Sequence, residues 1–256
     1  MDEVRRRPLD PPYASVIVDE VQDLTLVGVK LLHALVGDAP NGLLLIGDGQ
    51  QAVYPGGFRL SDAGIVVTGR GGVLRTNYRN ARQILDAALK MVRDDPFEDL
   101  DEAAAHGHRE MEVTYHDGAV VKVNANDHGK LDDLLIEAVR NHPSSDSTPL
   151  ADAAVLCATR RELEHYYRVL TRAGIAVLRL ESYDGRPGDA IKLGTYRRAK
   201  GLEFKRVFLP RYTAAIQAAE GDGAVDRESA EIARRQLFVA MTRARDLLWL
   251  GAVGVR

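Results

Sequence analysis

Cysteine, long apolar runs and a large net charge are missing from this sequence, and each absence excludes a class of protein. The single cysteine, Cys157, rules out an intramolecular disulfide framework, and its apolar neighbours predict a buried free thiol in a reducing cytoplasm. No apolar stretch is long enough to cross a bilayer, and the charged N-terminus lacks the apolar core of a signal peptide. We therefore expect a cytoplasmic protein without a membrane partner.

The net charge of −3 is too small to give the global positive field of a histone-like protein. Any contact with nucleic acid must therefore use a local patch. The densest positive charge comprises Lys192, Arg197, Arg198, Lys200, Lys205, Arg206 and Arg211. The charge pattern alone leaves two interpretations open, a solvated basic face and a nucleic-acid contact.

A phosphate-binding loop of the form Gly-x-x-x-x-Gly-Lys-Ser/Thr is also missing. The sequence has one Gly-Lys pair, Gly129-Lys130, but Asn124 occupies the position of the first glycine and Leu131 that of the hydroxyl residue. The amides and lysine of such a loop hold the β- and γ-phosphates of a nucleotide. A nucleotide site built from these residues alone should therefore bind its ligand poorly.

What the sequence does have is a short apolar run, Ser15-Val-Ile-Val18, that ends in two adjacent carboxylates, Asp19 and Glu20. Continuous apolar strands are typical of parallel sheets, and ligands lie beyond their carboxyl ends. There, Asp19 can hold Mg²⁺ through its water shell, while Glu20 orients the water that attacks a γ-phosphate. The alternative is a solvated pair of surface acids.

A second apolar run, Leu43 to Ile46, follows a helical pattern at residues 26–36 and also ends in polar residues, among them Gln51 and Tyr54. Strand, helix, strand with polar strand ends is typical of an α/β nucleotide-binding core. The alternative for Gln51 and Tyr54 is a polar turn with a half-buried aromatic ring. Glycine is dense in residues 55–72, which predicts a crossing between two lobes.

The rest of the chain predicts further α/β elements. We expect helices at 84–92, 131–139, 159–174 and 232–241, strands at 153–158, 175–180, 207–209 and 247–250, a hairpin at 111–123 and an acidic loop at 94–102. Thr159 and Glu162 form a capping-box pattern at the start of the third helix.

Five segments in collinear order carry a more specific signal. They are Asp19-Glu-Val-Gln-Asp23, Gly47-Asp-Gly-Gln-Gln-Ala-Val-Tyr54, Asn77-Tyr-Arg79, Thr195-Tyr-Arg-Arg-Ala-Lys-Gly-Leu-Glu-Phe204 and Arg234-Arg-Gln-Leu-Phe-Val-Ala-Met-Thr-Arg-Ala244. In this order they resemble motifs II to VI of the UvrD/Rep-type helicases of superfamily 1, which use ATP to move 3′ to 5′ along single-stranded DNA. Each motif is moderately specific, and the set is strong.

The resemblance implies an α/β fold of the RecA-like P-loop NTPase type. Residues 1–72 would be the C-terminal half of a first RecA-like lobe, and residues 73–256 a complete second lobe. ATP and Mg²⁺ would be the cofactors, and single-stranded DNA the substrate. The family places the phosphate-binding loop upstream of motif II, and about 18 residues precede Asp19 here. We therefore expect little or no ATPase or unwinding activity from this chain alone.

The resemblance also implies roles for single residues. Asp19 and Glu20 would serve Mg²⁺ and the attacking water, Gln51 would sense the γ-phosphate, and Arg79 and Arg243 would reach that phosphate from the second lobe. Such an arginine can be worth on the order of 10³–10⁵ in rate.

Other residues would bind the nucleotide base, the ribose or DNA. Tyr78 would face the adenine, with Glu203 near the ribose and Gly201 beside it in the nucleotide site. The DNA-binding residues would be Tyr54, which stacks on a base, and Thr195, Arg197 and Lys200 near the backbone.

Three residues depart from the family pattern in motifs V and VI. Arg197 stands where motif V usually has histidine, Ala233 where motif VI opens with an acid, and Phe238 where motif VI has tyrosine. The alternative function is a non-catalytic module that binds DNA or a protein. A third possibility is a helicase-like member of a nuclease or defence complex, so the expected partners include the missing N-terminal helicase part and a repair or nuclease protein.

Overall fold

The chain divides into two units in the computed structural model. Unit 1 comprises Met1–Leu74 and Asp94–His108, and unit 2 comprises Arg75–Arg93 and Arg109–Arg256. The structure describes residues 13–37, 40–48, 51, 58–67, 69–92, 96–98, 104–106, 112–113, 118–141, 150–186, 188–219 and 223–254.

Twelve strands and six α-helices lie within these residues. The strands are β1 (Val16–Val18), β2 (Leu43–Leu45), β3 (Thr76–Asn77), β4 (Pro96–Glu98), β5 (Ala104–His106), β6 (Glu112–Val113), β7 (Ala119–Ala125), β8 (Ala153–Cys157), β9 (Val177–Arg179), β10 (Ile191–Thr195), β11 (Phe204–Pro210) and β12 (Ala244–Val253). The helices are α1 (Leu26–Val36), α2 (Arg82–Leu89), α3 (His128–Arg140), α4 (Arg160–Arg172), α5 (Ala214–Ala219) and α6 (Ala224–Met241).

Unit 1 contains the predicted strand, helix, strand arrangement. β1 and β2 pair in parallel, and α1 lies between them in sequence. Thr25 caps α1 by accepting a hydrogen bond from the Gly28 amide at 3.1 Å, and Gly37 ends it with a positive φ of 59°. One face of the sheet packs on a small core formed by Val18, Val21, Val29, Leu60 and Ala63.

The other face of this two-stranded sheet is open. Ile17 and Leu44 are register partners, and they are 69% and 53% exposed. Ile46, two residues beyond Leu44, is 45% exposed. Parallel strands are normally covered on both faces. Unit 1 therefore presents an apolar sheet face of the kind that another layer of protein usually covers.

Unit 2 is built on six parallel strands in the order β7-β12-β11-β8-β10-β9. Helices α2 and α6 contact each other and strands of the sheet, and α3 and α4 form a second contacting pair against it. The α/β fold class predicted from the sequence is confirmed.

The main core of unit 2 lies between the sheet and the helices α3 and α4. It includes Leu131, Leu135, Val139, Val155, Cys157, Leu163, Tyr166, Leu170, Phe208 and Trp249. Burial raises the pKa of the Cys157 thiol well above its ordinary value. The prediction of a buried free cysteine is therefore confirmed, and Thr159 with Glu162 forms the predicted capping box of α4.

Several sequence predictions are corrected. Residues 111–123 do not form a hairpin, because β6 pairs in parallel with β3 and β7 pairs in parallel with β12 over seven register positions. The acidic loop contains β4, which pairs with β5. The sequence also missed β10, because Lys192 and Gly194 interrupt its apolar pattern. The last helix, α6, begins at Ala224, well before its predicted start.

None of the described helices is both long enough and apolar enough to cross a membrane.

The tight packing of Gly194 in β10 leads to a stability prediction. A Cβ atom at this position would lie 2.3 Å from Cδ1 and 2.8 Å from Cγ of the buried Leu180. We expect Gly194→Ala to lower the free energy of unfolding by about 1–3 kcal/mol, because the core cannot accept the extra methyl without shifting. Urea unfolding followed by the fluorescence of Trp249 measures this change.

Gly188→Ala is the matched control, since nothing lies within 4 Å of the Cβ that it adds. Equal unfolding midpoints for the two variants would contradict the packing described for Gly194.

Candidate functional site

The two predicted catalytic acids follow β1 directly. The Ile46 amide donates to the Val18 carbonyl at 2.8 Å, and the Val21 amide donates to the Ile46 carbonyl at 3.0 Å. These bonds hold Asp19 and Glu20 against the carboxyl end of β2. Glu20 has a positive φ of 53°, which is uncommon for a residue other than glycine.

A chain of hydrogen bonds joins Glu20 to Gln51. The Gln22 side chain donates to Oε2 of Glu20 and accepts from the Asp48 amide at 3.2 Å. Nε2 of Gln51 donates to Oδ2 of Asp48 at 2.8 Å, and the Gln51 amide donates to the Asp48 carbonyl at 3.0 Å. Three of the residues predicted from the sequence, Asp19, Glu20 and Gln51, are thereby brought together at one edge of the unit 1 sheet.

Gln22 and Asp48 were not among the site residues predicted from the sequence. Both lie inside the segments that resemble motifs II and III, and this position could have identified them. Their side chains form hydrogen bonds with Glu20 and Gln51, two of the predicted catalytic residues.

Asp19 is exposed and suits the usual mode of Mg²⁺ binding, in which one or two carboxylates share the ion with water and substrate phosphates. Within the described residues, no group of three or more His, Cys, Asp or Glu side chains is arranged to hold a metal by itself. Asp19 therefore fits a shared Mg²⁺ site better than an all-protein one.

In unit 2, three predicted nucleotide-site residues lie near the amino ends of β11 and β12. Nε of Arg79 contacts Oε2 of Glu203 at 2.9 Å. Glu203 and Arg243 immediately precede Phe204 and Ala244, which are register partners. Tyr78, next to Arg79, is 76% exposed, so its ring is free of protein cover on most of its surface.

Arg243 is 2% exposed. Its guanidinium donates to the Val239 carbonyl at 3.0 Å, the Leu202 carbonyl at 3.4 Å and the Thr242 hydroxyl at 3.3 Å. Its predicted contact with a γ-phosphate stays a prediction, and such a contact would compete with these internal bonds.

The predicted DNA-binding residues lie on the segment that leaves the carboxyl end of β10. Thr195 is the last residue of β10, and its hydroxyl accepts from the Arg198 amide at 3.4 Å. Arg197 donates to the side-chain oxygen of Gln236 at 2.9 and 3.1 Å when the Gln236 amide is oriented to satisfy its neighbours. Gly201 has a φ of 80°, which turns the chain toward Glu203. The fourth predicted DNA contact, Tyr54, lies outside the described residues.

Two residues of the dense basic stretch are not at the surface. Lys192 and Arg206 are 1% and 3% exposed. The ammonium of Lys192 donates to the carbonyls of Ala151 and Ala190 at 3.0 and 3.3 Å, and burial lowers its pKa. A buried cation on a core strand cannot contact DNA or solvent. Lys192 and Arg206 therefore belong neither to a solvated basic face nor to a nucleic-acid contact.

The bridge through Gln22 predicts a local effect of mutation. Gln22→Ala removes the acceptor of the Asp48 amide, while the Val21 amide keeps its bond to Ile46. Since one hydrogen bond contributes about 0.5–1.5 kcal/mol, we expect the Asp48 amide to exchange with deuterium roughly two to ten times faster. The Val21 amide should be unchanged.

Hydrogen exchange followed by NMR measures both amides, and Gln83→Ala at an exposed position serves as the control variant. An unchanged Asp48 amide in Gln22→Ala would contradict the bridge.

Known protein families match both ends of the chain. The family described as UvrD-like helicase C-terminal domain matches residues 168–253. The family described as UvrD/REP helicase N-terminal domain matches residues 3–69.

Similar proteins have helicase names. A probable DNA helicase of Mycoplasma pneumoniae (strain ATCC 29342 / M129 / Subtype 1) is 26% identical over 253 residues, which cover 94% of this chain and 44% of the relative. One subunit of an ATP-dependent helicase/nuclease of Anoxybacillus flavithermus (strain DSM 21510 / WK1) is 31% identical over 94 residues, covering 32% of this chain and 8% of the relative. The chain therefore spans less than half the length of each of these relatives.

Among solved structures, the C-terminal domain of a possible DNA helicase from Lactobacillus plantarum WCFS1 is similar with a TM-score of 0.49 and 19% identity, over 70% of this chain and 88% of that one. Two domain families of UvrD-like helicases thus match the two ends of the chain in the order that the five motifs predicted. The chain belongs to the UvrD/Rep-type helicase family.

Proposed function

We propose that this chain is a portion of an ATP-dependent 3′-to-5′ DNA helicase that couples ATP hydrolysis to translocation on single-stranded DNA, in DNA repair or recombination. Residues 1–72 are assigned to part of a first RecA-like lobe and residues 73–256 to a second. The observation that carries the proposal is the hydrogen-bonded chain from Glu20 through Gln22 and Asp48 to Gln51. A module that only binds a partner has no need to orient a water-activating acid and a phosphate sensor together.

In the proposed reaction, Glu20 accepts a hydrogen bond from the water that attacks the γ-phosphate. Asp19 holds the water shell of Mg²⁺, which neutralises charge on the phosphate oxygens when it is bound. Gln51 donates its amide to the γ-phosphate when ATP is present and to Asp48 when it is absent. Asp48 is also hydrogen-bonded to Gln22, which in turn is bonded to Glu20. A movement of the Gln51 side chain away from Asp48 can therefore be transmitted to Glu20 through these bonds.

In unit 2, Arg79 and Arg243 are proposed to stabilise charge on the γ-phosphate, with Tyr78 on the adenine and Glu203 and Gly201 at the ribose. The ion pair between Arg79 and Glu203 is exposed, so breaking it costs little, about 0–1 kcal/mol. Arg79 is therefore able to exchange Glu203 for a phosphate oxygen.

The proposed DNA contacts are Thr195, Arg197 and Lys200, with Tyr54 stacking on a base. Thr195, Arg197 and Lys200 lie on a segment that starts at the carboxyl end of β10 and returns to the amino end of β11, where Glu203 lies. This segment offers a physical connection between residues proposed for DNA and residues proposed for the nucleotide. A DNA strand that displaced it would also move Glu203 and its partner Arg79.

The site has no Gly-x-x-x-x-Gly-Lys-Ser/Thr loop in this sequence to cradle the β- and γ-phosphates. We propose that a polypeptide with a phosphate-binding loop completes it and packs on the open sheet face at Ile17, Leu44 and Ile46. The greater length of the relatives supports this proposal. A cytoplasmic location and a repair or nuclease partner remain part of the same proposal, the latter suggested by the name of one relative.

The first prediction concerns ATP hydrolysis. The purified chain should show little or no ATPase activity, with or without single-stranded DNA, because its sequence has no phosphate-binding loop to hold the triphosphate against Glu20. Release of inorganic phosphate in the presence of Mg²⁺ measures this activity.

Glu20→Gln is the control for a contaminating ATPase, since it removes the proposed base and keeps the shape of the side chain. Activity that disappears in this variant would contradict the proposal that the chain needs a phosphate-binding loop.

The second prediction concerns DNA. Arg197→Ala and Lys200→Ala should each weaken binding of single-stranded DNA, and each should reduce the slope of log affinity against log salt by about 0.7 for every phosphate that is no longer neutralised. Fluorescence anisotropy of a labelled oligo-dT at several salt concentrations measures both quantities.

Arg172→Ala, an equal loss of charge at the exposed end of α4, should leave the affinity and its salt slope unchanged. An equal loss in all three variants would indicate nonspecific attraction and contradict the assigned contacts.

One observation favours the second candidate function, a non-catalytic module that binds DNA or a protein. Arg243 is buried and bonded to three groups of its own unit, as expected of a structural residue. If the chain bound DNA with the predicted salt dependence and gave no ATP hydrolysis after a polypeptide with a phosphate-binding loop had bound to it, this function would be preferred.

A further inference from the structure

Asn80 is a buried polar residue that the motifs did not single out. It is 2% exposed and follows Tyr78 and Arg79, the two residues of this turn assigned to the nucleotide. Side-chain amides are seldom buried without a full set of hydrogen bonds, because an unpaired buried polar group is destabilising. The partners of Asn80 therefore indicate what it does.

Its side-chain nitrogen donates to two backbone carbonyls, that of Thr242 at 2.8 Å and that of Ala244 at 2.6 Å. These are the residues on either side of Arg243. Its side-chain oxygen accepts from the Asn77 amide group at 3.2 Å. Asn80 thus uses both of its N–H groups to tie the turn before α2 to the junction between α6 and β12.

The turn itself is closed by Asn77. Its side-chain oxygen accepts from the backbone amides of Arg79 and Asn80, each at 2.9 Å. The next residue, Ala81, donates its amide to the Arg245 carbonyl at 3.1 Å. Arg79 is therefore carried on a rigid turn, and Asn80 anchors that turn to the backbone around Arg243.

The identity of the side chain follows from these contacts. Two facing carbonyls require two donors from one atom, which only a primary amide supplies at this length. Aspartate would bring a third acceptor to them, and serine and alanine are too short to reach both. The exposed bond between Arg79 and Glu203 contributes too little to set this geometry by itself.

We propose that Asn80 is a positioning residue that fixes Arg79 relative to Arg243 and Glu203. It contacts no substrate in this role. The importance of Asn80 for nucleotide chemistry rests on the proposed function of Arg79. The effect of Asn80 on the position of Arg79 is independent of that function.

The test follows the Nε–Hε NMR signal of Arg79 in the full chain without nucleotide. Glu203→Gln gives the position of this signal when the ion pair is lost. In Asn80→Ala the signal should move to that position, and Asn80→Ser should do the same while disturbing the core less. Asn126→Ala, which removes an exposed amide, should leave the signal where it is in the wild-type chain.

A purely structural role would lower the unfolding temperature of the Asn80 variants and leave the Arg79 signal of the folded protein in place. That result, in either folded variant, would overturn the proposal. Adding ATP and Mg²⁺ then tests the proposed function separately. If ATP and Mg²⁺ fail to move the Arg79 signal once a polypeptide with a phosphate-binding loop has completed the site, the nucleotide role of Arg79 is wrong, while the comparison without nucleotide still decides whether Asn80 positions it.

Discussion

Parallel strand pairing is the constraint on which both units depend. Parallel strands need crossovers between them and cover on both faces, so polar residues collect at the two edges of the sheet, where the loops are. In unit 2, helices α2, α3, α4 and α6 pack on the sheet, and the residues proposed for function lie at its edges. Thr195 ends β10 at one edge, and Glu203 and Arg243 precede β11 and β12 at the other. In unit 1 the same constraint is only half met, since Ile17 and Leu44 are exposed.

In each unit, a side-chain amide bridges separate segments at one edge of the sheet. Gln22 joins the Glu20 side chain, two residues beyond β1, to the Asp48 amide, three residues beyond β2. Asn80 joins the turn before α2 to the backbone around Arg243. A side-chain amide has both donors and an acceptor, so one side chain can bond to two separate segments. In each case the residue proposed to contact the nucleotide, Glu20 or Arg79, lies beside the bridge. Charged residues proposed for chemistry are thus set in place by neutral neighbours.

The sequence predicted the elements whose pattern is local. The apolar runs of β1, β2 and β8 and the capping box at Thr159 are all found, since buried parallel strands and helix caps depend on adjacent residues. The pairing of strands that are distant in sequence could not be predicted from such local patterns. The sequence predicted a hairpin at 111–123, but seven positions of parallel pairing with β12 determined where β7 lies. Lys192 was predicted to lie at the surface, because a single sequence does not indicate that two backbone carbonyls will accept hydrogen bonds from its ammonium group. The bridges through Gln22 and Asn80 were hidden for the same reason, since their partners lie up to 164 residues away.

The central claim is that this chain supplies the groups that act on a γ-phosphate and lacks the loop that holds it. The most direct measurement is Mg²⁺-dependent ATP hydrolysis after adding a polypeptide that carries the upstream half of a UvrD-type N-terminal domain with its phosphate-binding loop. Hydrolysis that requires both polypeptides, and disappears when the loop lysine is changed to alanine, is the result that the claim predicts. Binding of the two polypeptides without any hydrolysis would contradict it, because a completed site would then lack working catalytic groups.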